Sequence, residues 1–519
     1  MTKKKYSLPK VLISWAILFA LAVGMLSQIN EKFEMKSVYR TTSWPSTNSY
    51  SGFYQMKKDS VDVLFLGSSV TINAFSPQEI YNDYGITSYN LGSEQQSPFL
   101  SYYWLKEALR YQHPKAVVMD LLFLPTIHDD QVLNTTEGLT RKCLDPMKWS
   151  SVKAEAVKDV AVHDKDQSEM SYYLSNIRFH SRWSSGLDRN DMDRKQYGYG
   201  PLKGWNAMLY YGVPEFETFK PSDTKTQGDV NKLQKEYVYK IGDLCRKNHI
   251  KLILTYLPRD GMKDGLNNTF NKIADDIGAD FYNFCTDKLY IELNAHLPRE
   301  SVIGHPNYEG SVKISKYIGK LLQDKYDIPS RKNDQYESTR DFYGKVGKDA
   351  ELQYIDNFDD YLDAINDPDY TVFFAIKDEG TNAIGDTEME KLQKMGIRTD
   401  LRGKYRNSWY AIVDPKKGVK EATSPNQKID ASGYFGEDQK GYSVSSSGYN
   451  TGASGSSINI GGTEYSNNSR GINIVVWDNV GQAMIDSVTF DTCDKAQASR
   501  TWFTEMRDRG MDPDFNSRW

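Results

Sequence analysis

Short apolar runs alternate with amphipathic stretches through the first half of the chain. Val61–Leu66, Thr87–Leu91 and Ala116–Leu124 have the apolar, β-prone character of buried strands. Two helices are predicted between them. Ser76 and Pro77 open the helix Pro77–Tyr84, and Ser97 and Pro98 open the helix Ser97–Tyr111; both residue types are typical of a helix start. Strand–helix alternation at this spacing predicts a parallel, doubly wound sheet.

The same alternation resumes after a long excursion. Ile250–Tyr256 and Asp280–Phe284 are predicted strands, and Gly310–Leu322 is a closing helix. We therefore predict a three-layer α/β domain over residues 58–328, with an insertion at about 125–240. Such an insertion could form an acceptor groove or a lid, and packed or solvated loops are an equally good interpretation.

The N-terminus carries the pattern of a membrane segment. Four lysines (Lys3, Lys4, Lys5 and Lys10) precede an uncharged run from Val11 to Leu26, which Ser27–Asn30 could extend. We predict that residues 1–30 are a cytoplasmic tail and an uncleaved signal anchor, that 31–57 are a juxtamembrane stalk, and that the rest lies outside the membrane. A cleaved signal peptide is the alternative, although no convincing cleavage site follows Leu26.

The second half of the chain predicts a separate folded unit. Residues 329–350 are charged with little apolar pattern, and they are interpreted as a linker. Residues 351–519 predict a mixed α/β or β-sandwich-like domain. Its predicted elements are helices at Phe358–Ile365 and Glu388–Met395, strands at Thr371–Ile376, Trp409–Val413 and Ile472–Trp477, and a turn-rich stretch at Gly441–Gly462.

Composition narrows the classes of function. The net charge of −5 with 26% charged residues provides no basic field, so nucleic acid is not an expected partner. Four scattered cysteines lack metal-ligand spacing and predict neither a zinc site nor a disulfide framework. We therefore expect neither a metal nor a cofactor. The 13% aromatic content suits sugar binding, and it suits buried cores as well.

Candidate chemistry lies at the ends of the predicted strands. Gly67-Ser68-Ser69 follows the first strand, at the carboxyl edge where α/β sheets bind ligands. His305 precedes the closing helix and is expected at the same edge. The pairing matters because a serine hydroxyl is a poor nucleophile until a neighbouring base takes its proton.

These residues resemble the SGNH (GDSL-like) hydrolases over residues 58–328. The resemblance is carried by Gly67-Ser-Ser69, by Gly92 after the second strand, and by His305-Pro-Asn-x-x-Gly310. It implies a flavodoxin-like fold in which Ser69 is the nucleophile and His305 the general base. It also implies that the backbone N–H groups of Ser69 and Gly92 form part of an oxyanion hole. The Gly-x-Ser-x-Gly elbow of lipases is absent.

Two positions depart from that family. The expected Asp-x-x-His aspartate is replaced by Val302, so Glu292, Glu300 or Glu309 would have to substitute, or a Ser–His dyad would have to suffice. Where many members carry an asparagine that donates to the oxyanion, this chain has Asp120, which cannot donate while ionised. The candidate supporting residues are Asp120, Glu300 and Asn307.

The C-terminal half resembles the ILEI/PANDER domain, with its segments in circularly permuted order. The resemblance implies carbohydrate binding, for which Tyr449 and Trp477 are the candidate aromatics; Trp477 could equally be a core residue. A purely structural or partner-docking domain is the alternative. The segments that carry the resemblance are Val372–Gly380, Leu392–Gly396, Tyr405–Trp409, Ser469–Trp477 and Phe490–Thr492.

Taken together, the sequence predicts an extracytoplasmic serine O-acyltransferase, most simply an O-acetyltransferase, that acts through an acyl-Ser69 intermediate. Similarity to the membrane-anchored SGNH proteins implies a membrane-bound O-acyltransferase (MBOAT) partner as the acyl donor. It also implies a bacterial cell-surface polysaccharide or teichoic-acid-like polymer as the acceptor. The alternatives are a carbohydrate esterase and a catalytically degenerate glycan-binding or scaffold protein.

Overall fold

The computed structural model describes most of the chain outside the insertion and the termini. The described residues are 8–33, 45–126, 137–164, 168–174, 177–178, 180, 184, 200–208, 218–259, 261–286, 288–289, 305–437, 439–494 and 498–501.

A parallel sheet organises the first half of the chain. Within the described residues its five strands lie in the order β2-β1-β3-β4-β5, and every pair is parallel. The order reverses at β1 and β3, which places a crevice at their carboxyl ends. The strands are β1 (Val63–Leu66), β2 (Ser88–Asn90), β3 (Ala116–Asp120), β4 (Lys251–Tyr256) and β5 (Asp280–Asn283).

Helices cover both faces of this sheet, because its strands are apolar on both sides. Leu64 and Leu66 enter one core, whereas Val63 and Phe65 enter the other. The described helices of this half are α1 (Leu8–Phe33), α2 (Pro45–Phe53), α3 (Ser69–Ala74), α4 (Pro77–Tyr84), α5 (Pro98–Ala108), α6 (Phe123–Thr126), α7 (Glu137–Leu144), α8 (Ser151–His163), α9 (Glu169–Tyr173), α10 (Lys232–Lys247), α11 (Asp264–Ile277) and α12 (Tyr308–Asp324).

Local signals set several of these boundaries. Helix α4 has the predicted bounds because Ser76 accepts the N–H of Glu79 at 3.3 Å, Pro77 occupies the first turn and Gly85 ends the helix in the left-handed region. The predicted strand Ala116–Leu124 is shorter than expected. It ends at Asp120, and its last apolar residues begin α6.

Helix α1 differs from all the others in its exposure. Its 22-residue span Leu8–Ile29 is long and apolar enough to cross a membrane, and no part of that span is buried in the protein. Helix α2 is instead anchored to the folded unit, where the ring of Tyr50 stacks on Trp104 at 4.0 Å.

Residues 329–350, which were interpreted from the charge pattern as a linker, are largely helical. They contain α13 (Asp334–Glu337) and most of α14 (Arg340–Glu351), both of which pack on the first domain. The buried Tyr336 donates its hydroxyl to the Ser88 carbonyl, and Tyr343 donates to Glu79. The few buried positions are interspersed with charged residues that face solvent, so the apolar pattern is weak in the sequence.

A second, mostly antiparallel sheet builds the C-terminal unit. Within the described residues, β6 pairs with β13 on one side and with β7 and β10 on the other, and only the β6–β10 pair is parallel. The strands are β6 (Tyr370–Asp378), β7 (Ser408–Asp414), β8 (Gly418–Ser424), β9 (Ile429–Phe435), β10 (Lys440–Gly448), β11 (Gly455–Ile460), β12 (Thr463–Glu464), β13 (Gly471–Asp478), β14 (Ala483–Phe490) and β15 (Ala498–Ser499).

The two faces of β6 and β13 lie in different cores. Alternate residues such as Phe374 and Ile474 pack under the helices α15 (Phe358–Ile365) and α16 (Asp386–Lys394). The intervening residues, including Phe373, pack under β9, β10 and β11. The stretch Gly441–Gly462 is therefore largely a β-hairpin rather than a series of turns, since β10 and β11 pair over six residues.

Candidate active site

The end of β1 makes a tight turn that presents Ser69. Gly67 has φ +147°, and a Cβ there would lie 2.2 Å from the Thr71 hydroxyl, so only glycine fits. Ser68 flanks the start of α3, and Ser69 is the first residue of that helix. Ser68 is buried, whereas Ser69 is partly exposed. The turn thus exposes Ser69 to solvent while Ser68 stays buried.

The structure brings Ser69 and His305 together. The Nε2 atom of His305 lies 2.8 Å from the Oγ atom of Ser69, across 236 residues of sequence. The two residues come from opposite ends of the domain, since Ser69 follows β1 and His305 precedes α12. This is the geometry in which an imidazole can take the proton of a serine hydroxyl.

Helix α12, which begins shortly after His305, is fixed against α3. Asn307 caps α12 by accepting the N–H of Gly310 at 3.1 Å. One turn and two turns further on, Ser311 and Ser315 each donate a hydroxyl to the Ala74 carbonyl at 3.3 Å. Asn307 therefore supports the site as the cap of the helix that follows His305.

The surroundings of His305 favour its neutral form. Burial lowers the pKa of His305 below its ordinary value, the positive charge of Arg259 lowers it further, and the negative charge of Glu94 partly opposes both. A neutral imidazole at neutral pH can accept a proton from Ser69.

The predicted oxyanion donor Gly92 has a hydrogen-bond partner within its own turn. Its backbone N–H donates to the Asn90 side-chain oxygen at 3.1 Å. The Asn90 amide in turn donates to the Thr71 carbonyl at 2.8 Å and to the Phe75 carbonyl at 3.0 Å. Asn90 thus joins the end of β2 to helix α3, and nothing in the sequence pattern singled it out.

Asp120 joins two strand ends. Its carboxylate accepts the N–H of Leu122 at 3.0 Å and the N–H of Leu257 at 3.1 Å, beyond the ends of β3 and β4. Burial raises the pKa of Asp120 to about 6, against the lowering effect of these two bonds and of Arg259. Asp120 therefore supports the site by holding together the backbone segments that follow β3 and β4.

Of the three glutamates predicted to substitute for the missing aspartate, only Glu309 lies within the described residues. Val302, Glu292 and Glu300 lie outside the described residues, and Glu309 lies in the first turn of α12. The sequence reasoning missed Glu94, which is buried, pairs with the buried Lys142 and acts electrostatically on His305. Glu94 could have been found from the sequence, because it lies just after Gly92 at the edge of the sheet that carries Ser69.

Part of the insertion also packs against the site. Asn206 donates its backbone N–H to the Ile72 carbonyl at 2.8 Å, and the Trp205 indole donates to the Asn73 carbonyl at 3.0 Å. The Met208 carbonyl accepts the N–H of Tyr308 at 2.7 Å. Residues 205–208 therefore join α3 to α12 and help to fix the distance between Ser69 and His305.

The two aromatic residues predicted to bind carbohydrate in the C-terminal unit differ in exposure. Trp477 is only 3% exposed and packs edge-to-face on Phe435 at 5.7 Å, so it is a core residue and not a sugar platform. Tyr449 is 56% exposed, with the Arg406 guanidinium 4.4 Å from its ring. Sequence reasoning missed Tyr434, which is 64% exposed beside a groove of about 480 Å³. The groove is lined by Ser432, Gly433, Tyr434, Gly441, Tyr442, Ser443, Asn459, Gly461 and Gly462.

Comparison with known proteins adds no further assignment. No model of a protein family matches the chain, and no curated protein matches it with significant similarity. The resemblances to SGNH hydrolases and to ILEI/PANDER domains therefore rest on the motifs quoted above.

Proposed function

We propose that this protein is a membrane-anchored serine O-acyltransferase that modifies hydroxyl groups of a cell-surface glycopolymer. The observation that carries the proposal is the 2.8 Å contact between His305 Nε2 and Ser69 Oγ at the carboxyl edge of a parallel sheet. A partly exposed serine with a neutral imidazole within hydrogen-bond distance has the arrangement of an activated nucleophile.

The reaction proceeds in two balanced steps. In the first, Ser69 Oγ attacks the acyl carbonyl carbon of the donor while its proton passes to His305 Nε2. The donor oxygen or sulfur then leaves with that proton, and an ester on Ser69 is formed. In the second, the acceptor hydroxyl gives its proton to His305 Nε2 and attacks this ester, and Ser69 leaves and recovers the proton.

The fold supports the SGNH relationship on which the reaction class depends. The strand order 2-1-3-4-5 is that of a flavodoxin-like sheet. The two residues in contact, the serine after β1 and the histidine before α12, are those for which the resemblance implies the roles of nucleophile and base, and their contact supports the proposal. Helix α1 supports membrane anchorage, and an MBOAT protein is the acyl donor that fits such a location.

Two observations favour a second candidate, a glycan-binding protein without catalysis. The N–H of Gly92 is bonded to Asn90, and Asp120 stands where an oxyanion donor is expected. An oxyanion-hole donor is worth about 10²- to 10³-fold in rate, so the loss of two would leave a weak enzyme. An esterase differs from the transferase only in which acceptor, water or sugar, takes the acyl group.

The test compares the full chain in detergent with Ser69→Ala and with Ser68→Ala as a matched control. Each is incubated with a chromogenic acetyl ester and a sugar oligomer, and mass spectrometry follows acetyl-enzyme, acetate and acetylated sugar. We expect acetylated sugar from the wild type and from Ser68→Ala but not from Ser69→Ala. Acetate alone would identify an esterase, and a wild type that is never acylated would favour the binding protein.

A further inference from the structure

The insertion carries a concentrated exposed apolar surface. Outside α1, the described residues include nine large hydrophobic side chains that are exposed. Five of these lie between residues 149 and 177, namely Trp149, Val162, Met170, Leu174 and Ile177; the others are Tyr405, Tyr434, Tyr449 and Val480. Clustered exposure of this kind marks an interaction surface, whereas single exposed residues do not.

One ring contact and helical spacing place most of these residues near one another. The ring of Trp149 lies 4.9 Å from that of Tyr173. Leu174 donates its N–H to the Met170 carbonyl at 2.8 Å, so these two residues lie one helical turn apart, and Ile177 donates its N–H to the Leu174 carbonyl at 2.9 Å. We call Trp149, Met170, Tyr173, Leu174 and Ile177 the insertion patch. Trp149 is 63% exposed and Met170 51%.

The patch lies beside the part of the fold that is nearest in sequence to α1. Tyr54 directly follows α2, its hydroxyl accepts the N–H of Lys148 at 3.0 Å, and the Lys148 amine lies 4.4 Å from its ring. Trp149 is the next residue. Eleven residues, 34–44, separate α1 from α2, and even fully extended they span at most roughly 40 Å. The patch therefore lies near the C-terminal end of α2, the helix that this segment joins to α1.

The chemistry of the patch suits the boundary between lipid headgroups and acyl chains. Tryptophan and tyrosine concentrate at this depth, because one end of each side chain is apolar and the other polar. Lys148 precedes Trp149 directly and suits anionic headgroups, and the short helix α9 that contains Met170 has one acidic residue, Glu169. An apolar segment with basic neighbours lies in the interface with its face about 5–10 Å deep.

We propose that the insertion patch inserts into the lipid interface of the membrane in which α1 is anchored. This second contact would orient the domain relative to the bilayer, so that the site of Ser69 faces a fixed direction instead of rotating freely about the tether. The inference rests on the proposed anchoring by α1, but it does not depend on acyl transfer.

Lipid-dependent quenching tests this proposal in the full chain. Single cysteines at Ser14, Met170 and Tyr434 carry an environment-sensitive fluorophore, in a Cys493→Ser background whose other three cysteines are buried. The proteins are reconstituted in vesicles of phosphatidylethanolamine and phosphatidylglycerol, with or without nitroxide-labelled lipid. We expect quenching at Ser14→Cys in α1 and roughly two-fold quenching at Met170→Cys, but none at Tyr434→Cys. Adding Trp149→Asp should reduce quenching at position 170.

The outcomes separate the patch from the anchor. Quenching at position 14 with none at 170 would overturn the patch proposal and leave the anchor intact. Absence of quenching at both positions would overturn the anchoring on which the patch rests. A blue-shifted fluorophore at 170 that labelled lipid does not quench would identify a protein contact, and so would also overturn the lipid assignment.

Discussion

The two sheets of this protein use buried polar side chains in opposite ways. At the edge of the parallel sheet, Ser69 and His305 share a single contact and Ser69 is partly exposed. In the C-terminal unit, the buried Arg500 donates to Asp486 at 3.0 Å and to the carbonyls of Leu352 and Ile355 at 2.8 and 3.1 Å. Tyr361 donates to the same Asp486 at 2.8 Å.

The difference separates chemistry from architecture. The Arg500 cluster is saturated with partners, so it stabilises a fold and has little capacity left for a ligand. The Ser69–His305 pair retains exposed surface and hydrogen-bonding capacity, which a substrate can use. Burial of polar residues therefore does not by itself mark a functional site. A functional site is indicated by polar groups at a strand end that still have hydrogen-bonding capacity for a substrate.

The largest expected effect is on catalysis, and it should leave the fold unchanged. His305→Gln removes the base beside Ser69, so we expect acyl transfer to fall about 10²- to 10⁴-fold. The midpoint of thermal unfolding should change little. Transfer rates and calorimetry on the same preparations check both. Unchanged transfer would remove His305 from the proposed mechanism.

The converse effect is expected at Arg500, where stability should fall and chemistry should not. Arg500→Ala leaves Asp486 buried without its charge partner, at a cost of about 3–5 kcal/mol in the free energy of unfolding. Arg470→Ala removes the more exposed pair with Asp491 and should cost less than about 1 kcal/mol. Denaturant titration of the two variants provides the comparison. Equal losses in the free energy of unfolding would contradict the distinction between the buried Arg500–Asp486 pair and the more exposed Arg470–Asp491 pair.

A smaller effect is expected in sugar binding by the C-terminal unit. Tyr434 is the exposed ring beside the groove, so Tyr434→Ala should weaken binding of a matching oligosaccharide by up to about tenfold. Tyr449→Ala is the matched control, because its ring lies under Arg406 and outside the groove. Calorimetric titration distinguishes them. A larger loss at Tyr449 would move the sugar surface away from the groove.

The smallest expected effect is a shift in pH dependence. Transfer needs neutral His305, and burial and Arg259 lower its pKa, so activity should persist below the ordinary pKa of histidine and then fall with further acidification. Glu94→Gln removes a charge that raises this pKa and should move the acidic limb to lower pH. Arg259→Gln should move it to higher pH. Shifts in the same direction would show that neither charge acts directly on His305.

The elements best predicted from the sequence are those with local causes. Helix α4 begins and ends where Ser76, Pro77 and Gly85 place it, because a cap and a C-terminal glycine act within a few residues. The pairing of Ser69 with His305 followed from topology, since parallel strands and the loops after them share one edge. The order of strands and helices predicted the shared edge, and the resemblance to SGNH hydrolases selected Ser69 over the adjacent Ser68.

Other features depended on partners far away in the chain. Helix α14 has few apolar positions, and it is held partly by the hydrogen bond from the Tyr343 hydroxyl to Glu79, which no local pattern reveals. Trp477 is buried because β9, β10 and β11 cover its face of the sheet, and a strand pattern does not say what covers each face. The N–H of Gly92 is occupied because Asn90 turns back on it.

The sequence by itself determined the five strands of the parallel sheet, the apolar α1 and the identity of the serine and histidine at one sheet edge. Periodicity, caps and strand-end residues encode these within short windows. Only the tertiary structure decided which of the candidate groups is free to act. That depends on hydrogen bonds between residues distant in sequence, such as those of Asp120 with Leu257 and of Asn90 with Thr71.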